Sequence, residues 1–438
     1  MKNSLIVANP PGIGLNQALS RTGYTISEAI ADLIDNSLDA EAGNINIITT
    51  DPTKLIIKDD GIGMSKETLL LAMRIGSPIL KPNGSLGKFG IGLCSASLTL
   101  GDKLQVITKE LGGEAHVGIN DVSIMKKEQS FVTEIGESDE GDKALLLGDK
   151  GTTLVIELSN KINPGKLMSH IGRVFRKYIS AGRNIYINDI PAHATDWLYE
   201  NNEDTKEFTV KVTVADKNGR DVEDIDIKLV LLPKFDDATM YREHIGTKTQ
   251  GFSVLRNGRE LSKGGWFGMW DSDNHYNRIR GEVEFTSKSD EEFGITYSKT
   301  GVKLCQSLID KIKRQIEDVM SDYKKISEDA RGEHEDFKVS SIVSPVIEKF
   351  LKISGHTKAE VKLYLKANKI SDPVCKIEVI NSKYSVILNK SHKFYKTYIH
   401  KATKATQEAV VLMMFSSAYS DASMASQIKL SSIAQGLC

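Results

Sequence analysis

Ala31-Asp32-Leu33-Ile34-Asp35-Asn36-Ser37-Leu38-Asp39-Ala40, then Asp59-Asp60-Gly61-Ile62-Gly63-Met64, then Gly87-Lys88-Phe89-Gly90-Ile91-Gly92-Leu93 follow one another early in this 438-residue chain. The first stretch reads as an amphipathic helix on which Asp32 and Asn36 lie one turn apart on a single face. The second follows Lys54-Leu55-Ile56-Ile57-Lys58, an apolar run of strand length. Asp59 therefore falls where a strand ends and a glycine turn begins. In the third, the glycines precede a run able to start a helix, Leu93 to Leu100, whose first N–H groups favour a phosphate. Each stretch has a plainer reading: a polar helix face, a common turn and a flexible loop. In this order they describe a nucleotide site, with an acid and an amide on one helix, an acid at a strand end and a glycine-rich loop.

The three motifs together resemble the GHKL ATPases, which comprise DNA gyrase B subunits, MutL proteins, the ninety-kilodalton heat-shock chaperones, histidine kinases and MORC proteins. The wording is most similar to MORC proteins and their bacterial relatives, in Ala31 to Ala40 and from Arg74-Ile75-Gly76-Ser77 through Gly101. The resemblance covers about the first two hundred residues well and the next hundred loosely. It implies ATP and Mg2+ as cofactors, with Asn36 as the metal ligand, a neutral hard oxygen donor beside phosphates and waters. It also implies that Asp59 accepts from the adenine amino group, with Gly61 and Gly63 turning beneath the base and Ala40 and Met64 lining its pocket. Gly87, Gly90 and Gly92 would wrap the phosphates, with Lys88 as a point charge. Gly76 to Gly87 would be a lid. Thr152, opening the strand Gly151-Thr152-Thr153-Leu154-Val155-Ile156-Glu157, would stand near the adenine.

One position departs from the family pattern. Where a glutamate usually serves as general base, four residues before the metal asparagine, this chain has Asp32. Its carboxylate falls back by roughly 1.5 Å on ordinary carbon–carbon geometry. Misplacement of that order can cost about a hundredfold in rate, so slow hydrolysis is expected. Further along, Phe293-Gly294-Ile295-Thr296-Tyr297-Ser298-Lys299-Thr300 resembles the segment where gyrase-like members reach a lysine to the γ-phosphate; Lys299 would then be catalytic. The plainer reading is a surface lysine before a helix. Just upstream, Gly251 to Leu261 reads as a hairpin with an Asn257-Gly258 turn.

A net charge of −1 gives no overall push towards nucleic acid or membrane. Cys94, Cys305, Cys375 and Cys438 are scattered without a C-x-x-C pair, which indicates neither a zinc site nor a disulfide framework. Reduced thiols, the absence of an apolar leader in Met1 to Val7 and an apolar maximum of only Ala409 to Phe415 predict a cytoplasmic protein without a membrane partner.

The expected fold class is α+β. Residues 1–195 would form a Bergerat-type α/β sandwich ATPase domain, and 196–330 a transducer-like α/β domain ending in a long charged helix, Lys303 to Glu328. A polar break at Asp329 to Asp336 would precede a small C-terminal α+β region over 331–438, opening on a helix with Ser344 as N-cap and Pro345 at its first position. Gly136 to Asp142 reads as a solvated acidic loop. Lys390, Lys393, Lys396, Lys401 and Lys404, interleaved with Phe394, Tyr395 and Tyr398, read either as a nucleic-acid grip or as a helix whose aromatics pack inward; the second is preferred. The functional expectation is an ATP-hydrolysing switch that becomes a homodimer on ATP binding. The bacterial MORC resemblance points to double-stranded DNA and antiviral (phage) defence. The alternative is a chaperone-like ATPase acting on protein clients.

Overall fold

The computed structural model describes residues 25–75, 86, 92–295, 302–353, 360–366, 371, 374–380, 383–399 and 402–422. The chain divides into two compact units, Met1–Lys324 and Lys325–Cys438.

The first unit holds two sheets. The larger takes in β1 (Asn44–Ile48), β2 (Lys54–Asp59), β3 (Gly101–Lys109), β4 (Ala115–Asp121), β5 (Glu134–Glu137), β6 (Gly151–Leu158), β7 (Asn184–Ile187) and β8 (Ile190–Pro191). Its order is β5-β4-β3-β6-β2-β1-β7-β8, antiparallel throughout except for the parallel pair β1–β7. Alternation in Asn44-Ile45-Asn46-Ile47-Ile48 and Lys54-Leu55-Ile56-Ile57-Lys58 buries Ile45, Ile47, Leu55 and Ile57 on one face. Three helices cover that face: α1 (Ile26–Asp39), α2 (Gly92–Leu100) and α3 (Pro164–Val174). Thr25 caps α1 in a reciprocal box with Glu28, and Ala29, Ile30, Leu33 and Ile34 fill the core beneath it. The layered α+β architecture agrees with the Bergerat-type reading.

The second sheet takes in β9 (Lys206–Ala215), β10 (Asp221–Leu231), β11 (Gly251–Arg256), β12 (Arg259–Ser262) and β13 (Ile279–Phe285), in the order β12-β11-β13-β10-β9. The Asn257-Gly258 hairpin forms between β11 and β12, with φ of 48° and 80° at its two turn residues, the primed geometry that asparagine and glycine tolerate. A buried charged cluster joins this sheet to α3 and the short helix Arg176–Ser180 that follows. Arg176 donates to Glu260 at 2.5 Å, to Glu282 at 2.7 Å and to Ser253 at 2.8 Å, and Arg173 also pairs with Glu260.

Three expectations on local structure give way. Gly136 to Asp142 is not simply a loop: Glu134–Glu137 forms the edge strand β5 and Glu140–Lys143 a short helix capped by Asp139. The long helix does not stop near Glu328 and restart at Pro345; it runs unbroken from Gln306 to Ile353 with Pro345 inside. The charged run before Pro345 consists largely of good helix formers, and Ile347 and Leu351 beyond it are fully buried, a gain that offsets the hydrogen bond proline forfeits. Finally, only Tyr395 of the three C-terminal aromatics packs inward. Phe394 and Tyr398 on the helix Lys393–Tyr398 are exposed, their rings 4.8 Å apart. The second unit has a three-stranded sheet of Glu360–Lys366, Lys383–Asn389 and Cys375–Ile380, in that order.

Among the described residues no helix is long and apolar enough to cross a membrane.

Candidate functional site

Asp59 ends β2 and is buried. The N–H groups of Gly61 and Thr152 donate to its Oδ1 at 3.0 and 3.2 Å, and the Ser37 hydroxyl donates to Oδ2 at 2.8 Å. A carboxylate offers about four acceptor positions. These contacts fill three, and the one left on Oδ2 suits an exocyclic amine. Burial raises the pKa of Asp59, against the lowering effect of the bonds from Ser37, Gly61 and Thr152.

Thr152 sits opposite Asp59 in the β2–β6 register. Its hydroxyl lies 3.0 Å from that of Thr108, which also accepts from the Met64 N–H at 2.9 Å. Ala40 caps α1, and its carbonyl accepts from Ile62 at 2.9 Å. Both turn glycines are packed closely against backbone. A Cβ on Gly61 would stand 2.8 Å from the Ala40 carbonyl, and one on Gly63, whose φ is 74°, would stand 1.9 Å from that of Lys109. Their lack of a side chain lets the turn pack on the ends of α1 and β3.

Asn36 lies on α1 one turn after Asp32, and its side-chain Nδ2 is buried without a hydrogen-bond partner. An orphaned buried amide is costly unless a ligand completes it. Which end of an amide faces outward is an assignment from the surrounding bonds, so the side chain fits a magnesium ligand through its oxygen. Asp32 and Asp35 are buried, and both pair with Arg259 of β12: Nη2 to Asp32 at 3.1 Å and Nε to Asp35 at 2.8 Å.

Gly92 opens α2, and a Cβ there would meet nothing. Gly87, Lys88, Gly90, Lys299 and, apart from Leu86, the whole of the expected lid Gly76 to Gly87 lie outside the described residues. Leu86 is held from two sides: its N–H donates to Asp39 of α1 at 2.7 Å, and its carbonyl accepts from Arg256 of β11 at 3.4 Å. Sequence reasoning missed Ser37, Thr108, Arg256 and Arg259. Ser37 lay inside the quoted motif, but only the fold turns it towards Asp59.

The family described as histidine kinase-, DNA gyrase B-, and HSP90-like ATPase matches residues 24–151, which span α1, the Asp59 turn and the strand start before Thr152. These residues form a GHKL ATPase domain, and it is MORC-like. Within it Asn36 lies on α1 and Asp59 ends β2, with Gly61 and Gly63 in the turn that follows. Among similar proteins, ATPase morc-1 of Caenorhabditis elegans is 38% identical over 87 residues, 19% of this chain and 10% of that protein. Protein MICRORCHIDIA 3 of Arabidopsis thaliana is 30% identical over 128 residues, 27% of this chain and 21% of that protein. Protein MICRORCHIDIA 2 of the same plant is 28% identical over 119 residues, 25% and 18% of the respective chains. The matches span about a tenth to a fifth of these relatives' lengths.

Proposed function

We propose that the protein is an ATP- and Mg2+-dependent conformational switch that hydrolyses ATP slowly, forms a homodimer in the ATP state and acts on double-stranded DNA in phage defence. The observation that carries the nucleotide reading is Asp59, a buried carboxylate with three of its acceptor positions filled and one left for an adenine amine. Asn36 supports the metal assignment through its orphaned amide. In this reading Gly87, Lys88, Gly90 and Gly92 hold the phosphates, Thr152 and Met64 bound the base, and Asp32 takes the proton of the attacking water. Lys299 stabilises the γ-phosphate as charge develops on it. ATP, and not ADP, then biases one arrangement of the two sheets and brings two chains together.

The DNA assignment draws on the MORC-like sequence and on the C-terminal helix Lys393–Tyr398. There Phe394 and Tyr398 stand in solvent beside Lys393 and Lys396, a pairing of aromatic face and cation that suits nucleic acid. Phosphate release, light scattering and DNA retention, each with ADP, ATP and a non-hydrolysable analogue, test the whole reading. Expected are ATP turnover, doubled mass with the analogue alone and analogue-dependent retention of duplex DNA across a salt series. Nucleotide-independent mass would remove the dimer switch. Retention of unfolded protein instead of DNA would favour the chaperone-like alternative.

A further inference from the structure

Residues 192–205 link the large sheet to the second one, running from β8 to β9. Ala192 packs in the core beneath the large sheet, whereas Trp197 and Leu198 pack with Val230, Leu232 and Ile245 on the second sheet. Arg280 of β13 lies opposite Val230 in the register, and Arg278 stands two positions before it, so both side chains share that face. Arg280 is 3% exposed and donates through Nη1 to the Trp197 carbonyl at 2.9 Å. Its guanidinium carbon stands 4.1 Å from the centre of the Trp197 ring and 5.8 Å from that of Tyr199. Arg278 donates through Nε to the carbonyls of Leu232 and Pro233, and through Nη2 to Leu232 at 2.7 Å.

Three donors at this corner are buried and have no hydrogen-bond partner: Arg280 Nε, Arg278 Nη1 and Trp197 Nε1. Every acceptor that the two arginines reach is a backbone carbonyl, and among the described residues neither is paired with a carboxylate. Glu243, the acid beside Tyr199, accepts from the Tyr199 hydroxyl at 3.2 Å instead. Buried charges are ordinarily paired and buried donors bonded. The Trp197 face offsets part of the cost for Arg280 through cation–π attraction. It does nothing for Arg278 or for the three N–H groups. Burial pushes the pKa of Arg280 down to about 10, against the opposing charges of Tyr199, Glu243 and Asp196, and it lowers that of Arg278 as well. A water would satisfy donors here but bring no charge.

We propose that this corner binds a small oxyanion of the phosphate class, held by Arg278, Arg280 and the Trp197 indole N–H. The site uses none of the residues assigned to the nucleotide and does not rest on that reading. Its free groups are all donors, so the ligand brings only acceptors. A doubly charged tetrahedral anion balances two guanidinium groups and offers oxygens on several sides, whereas a carboxylate brings one charge in one plane. Burial of the donors keeps out the backbone of a duplex, so the ligand is a free anion. Tyr199 is half-buried and carries a φ of 54°, uncommon for a non-glycine residue. Its ring is the part of the wall that moves aside as the anion enters. A bound anion would fasten the link between the two sheets, through Trp197, to β13.

The test is calorimetric titration of the nucleotide-free full chain with inorganic phosphate at constant ionic strength, with acetate run beside it. Lys88→Ala serves as the background, so that the glycine-rich loop contributes no competing cation. Expected is saturable binding of one phosphate per chain with a dissociation constant below about 1 mM, and far weaker binding of acetate. Trp197→Phe keeps a ring against Arg280 and removes only the indole N–H; it should weaken phosphate binding by about tenfold. Arg278→Gln should weaken it by about tenfold or more, and Arg280→Gln should abolish it. If Arg280→Gln fails to fold, the other two variants decide the matter alone. Absence of saturable binding on the Lys88→Ala background, or equal phosphate affinity in every folded corner variant, would overturn the proposal without touching the nucleotide reading. Acetate binding as tight as phosphate, or displacement of phosphate by a duplex oligonucleotide, would contradict the class of ligand assigned.

Discussion

The Ser37 hydroxyl donates to Asp59 Oδ2 at 2.8 Å, joining the last turn of α1 to the end of β2 across 22 positions of sequence. That bond orients the carboxylate and fixes which acceptor position faces the site. Ser37→Ala should keep the fold and weaken ATP binding by about tenfold, the worth of one buried hydrogen bond to a charged group. Nucleotide titration checks it, and unchanged affinity would mean that Gly61 and Thr152 suffice to hold Asp59.

Asp59 also links function to stability. Burial raises its folded pKa above the ordinary 3.8, so the folded chain binds this proton more tightly than the unfolded chain. The stability it contributes is fully present below the unfolded value and is lost as pH rises through the folded one. Asparagine has no charge to bury. Thermal melts of Asp59→Asn and the starting protein from pH 4 to pH 8 should show a difference that moves in the variant's favour as pH rises. A constant difference would contradict the assignment of burial as the dominant influence.

Asn36→Ala removes a side chain whose Nδ2 has no partner to lose. Its melting temperature should stay within about 2 °C of the starting protein, the scale of a mutation worth under ~1 kcal/mol in a chain this size. Magnesium-dependent ATP affinity should fall tenfold or more, whereas metal-free nucleotide affinity should hold. Equal losses with and without magnesium would show that Asn36 does not act through the metal.

Gly63→Ala tests the turn beneath the site. Its φ of 74° costs a non-glycine residue about 1–3 kcal/mol, and the new Cβ would lie 1.9 Å from the Lys109 carbonyl. A fall in melting temperature of roughly 5–10 °C is expected, together with weakened nucleotide binding as Asp59 and Gly61 shift. A variant as stable as the starting protein would show that the turn has another conformation open to it.

The ATP-binding half of the fold was legible because its signals are local. Alternating isoleucines in β1 and β2, the Thr25–Glu28 box and the glycine turn after Asp59 each declare themselves within a few residues. The Asn257-Gly258 hairpin did so too. What the sequence hid is long-range. Arg259 meets Asp32 across 227 positions, and nothing near either residue signals the other. Pro345 misled for the opposite reason. A strong local breaker was overridden by the burial of Ile347 and Leu351, which only the folded second unit reveals. Phe394 and Tyr398 looked like core residues by type, and their exposure depends on which face of one short helix the sheet covers.

Titration calorimetry of the purified chain with ATP and magnesium, run beside Asp59→Asn, tests the central claim most directly. The account predicts saturable binding of one nucleotide per chain by the starting protein and none by the folded Asp59→Asn variant. No binding by the starting protein, or equal binding by both, would contradict it.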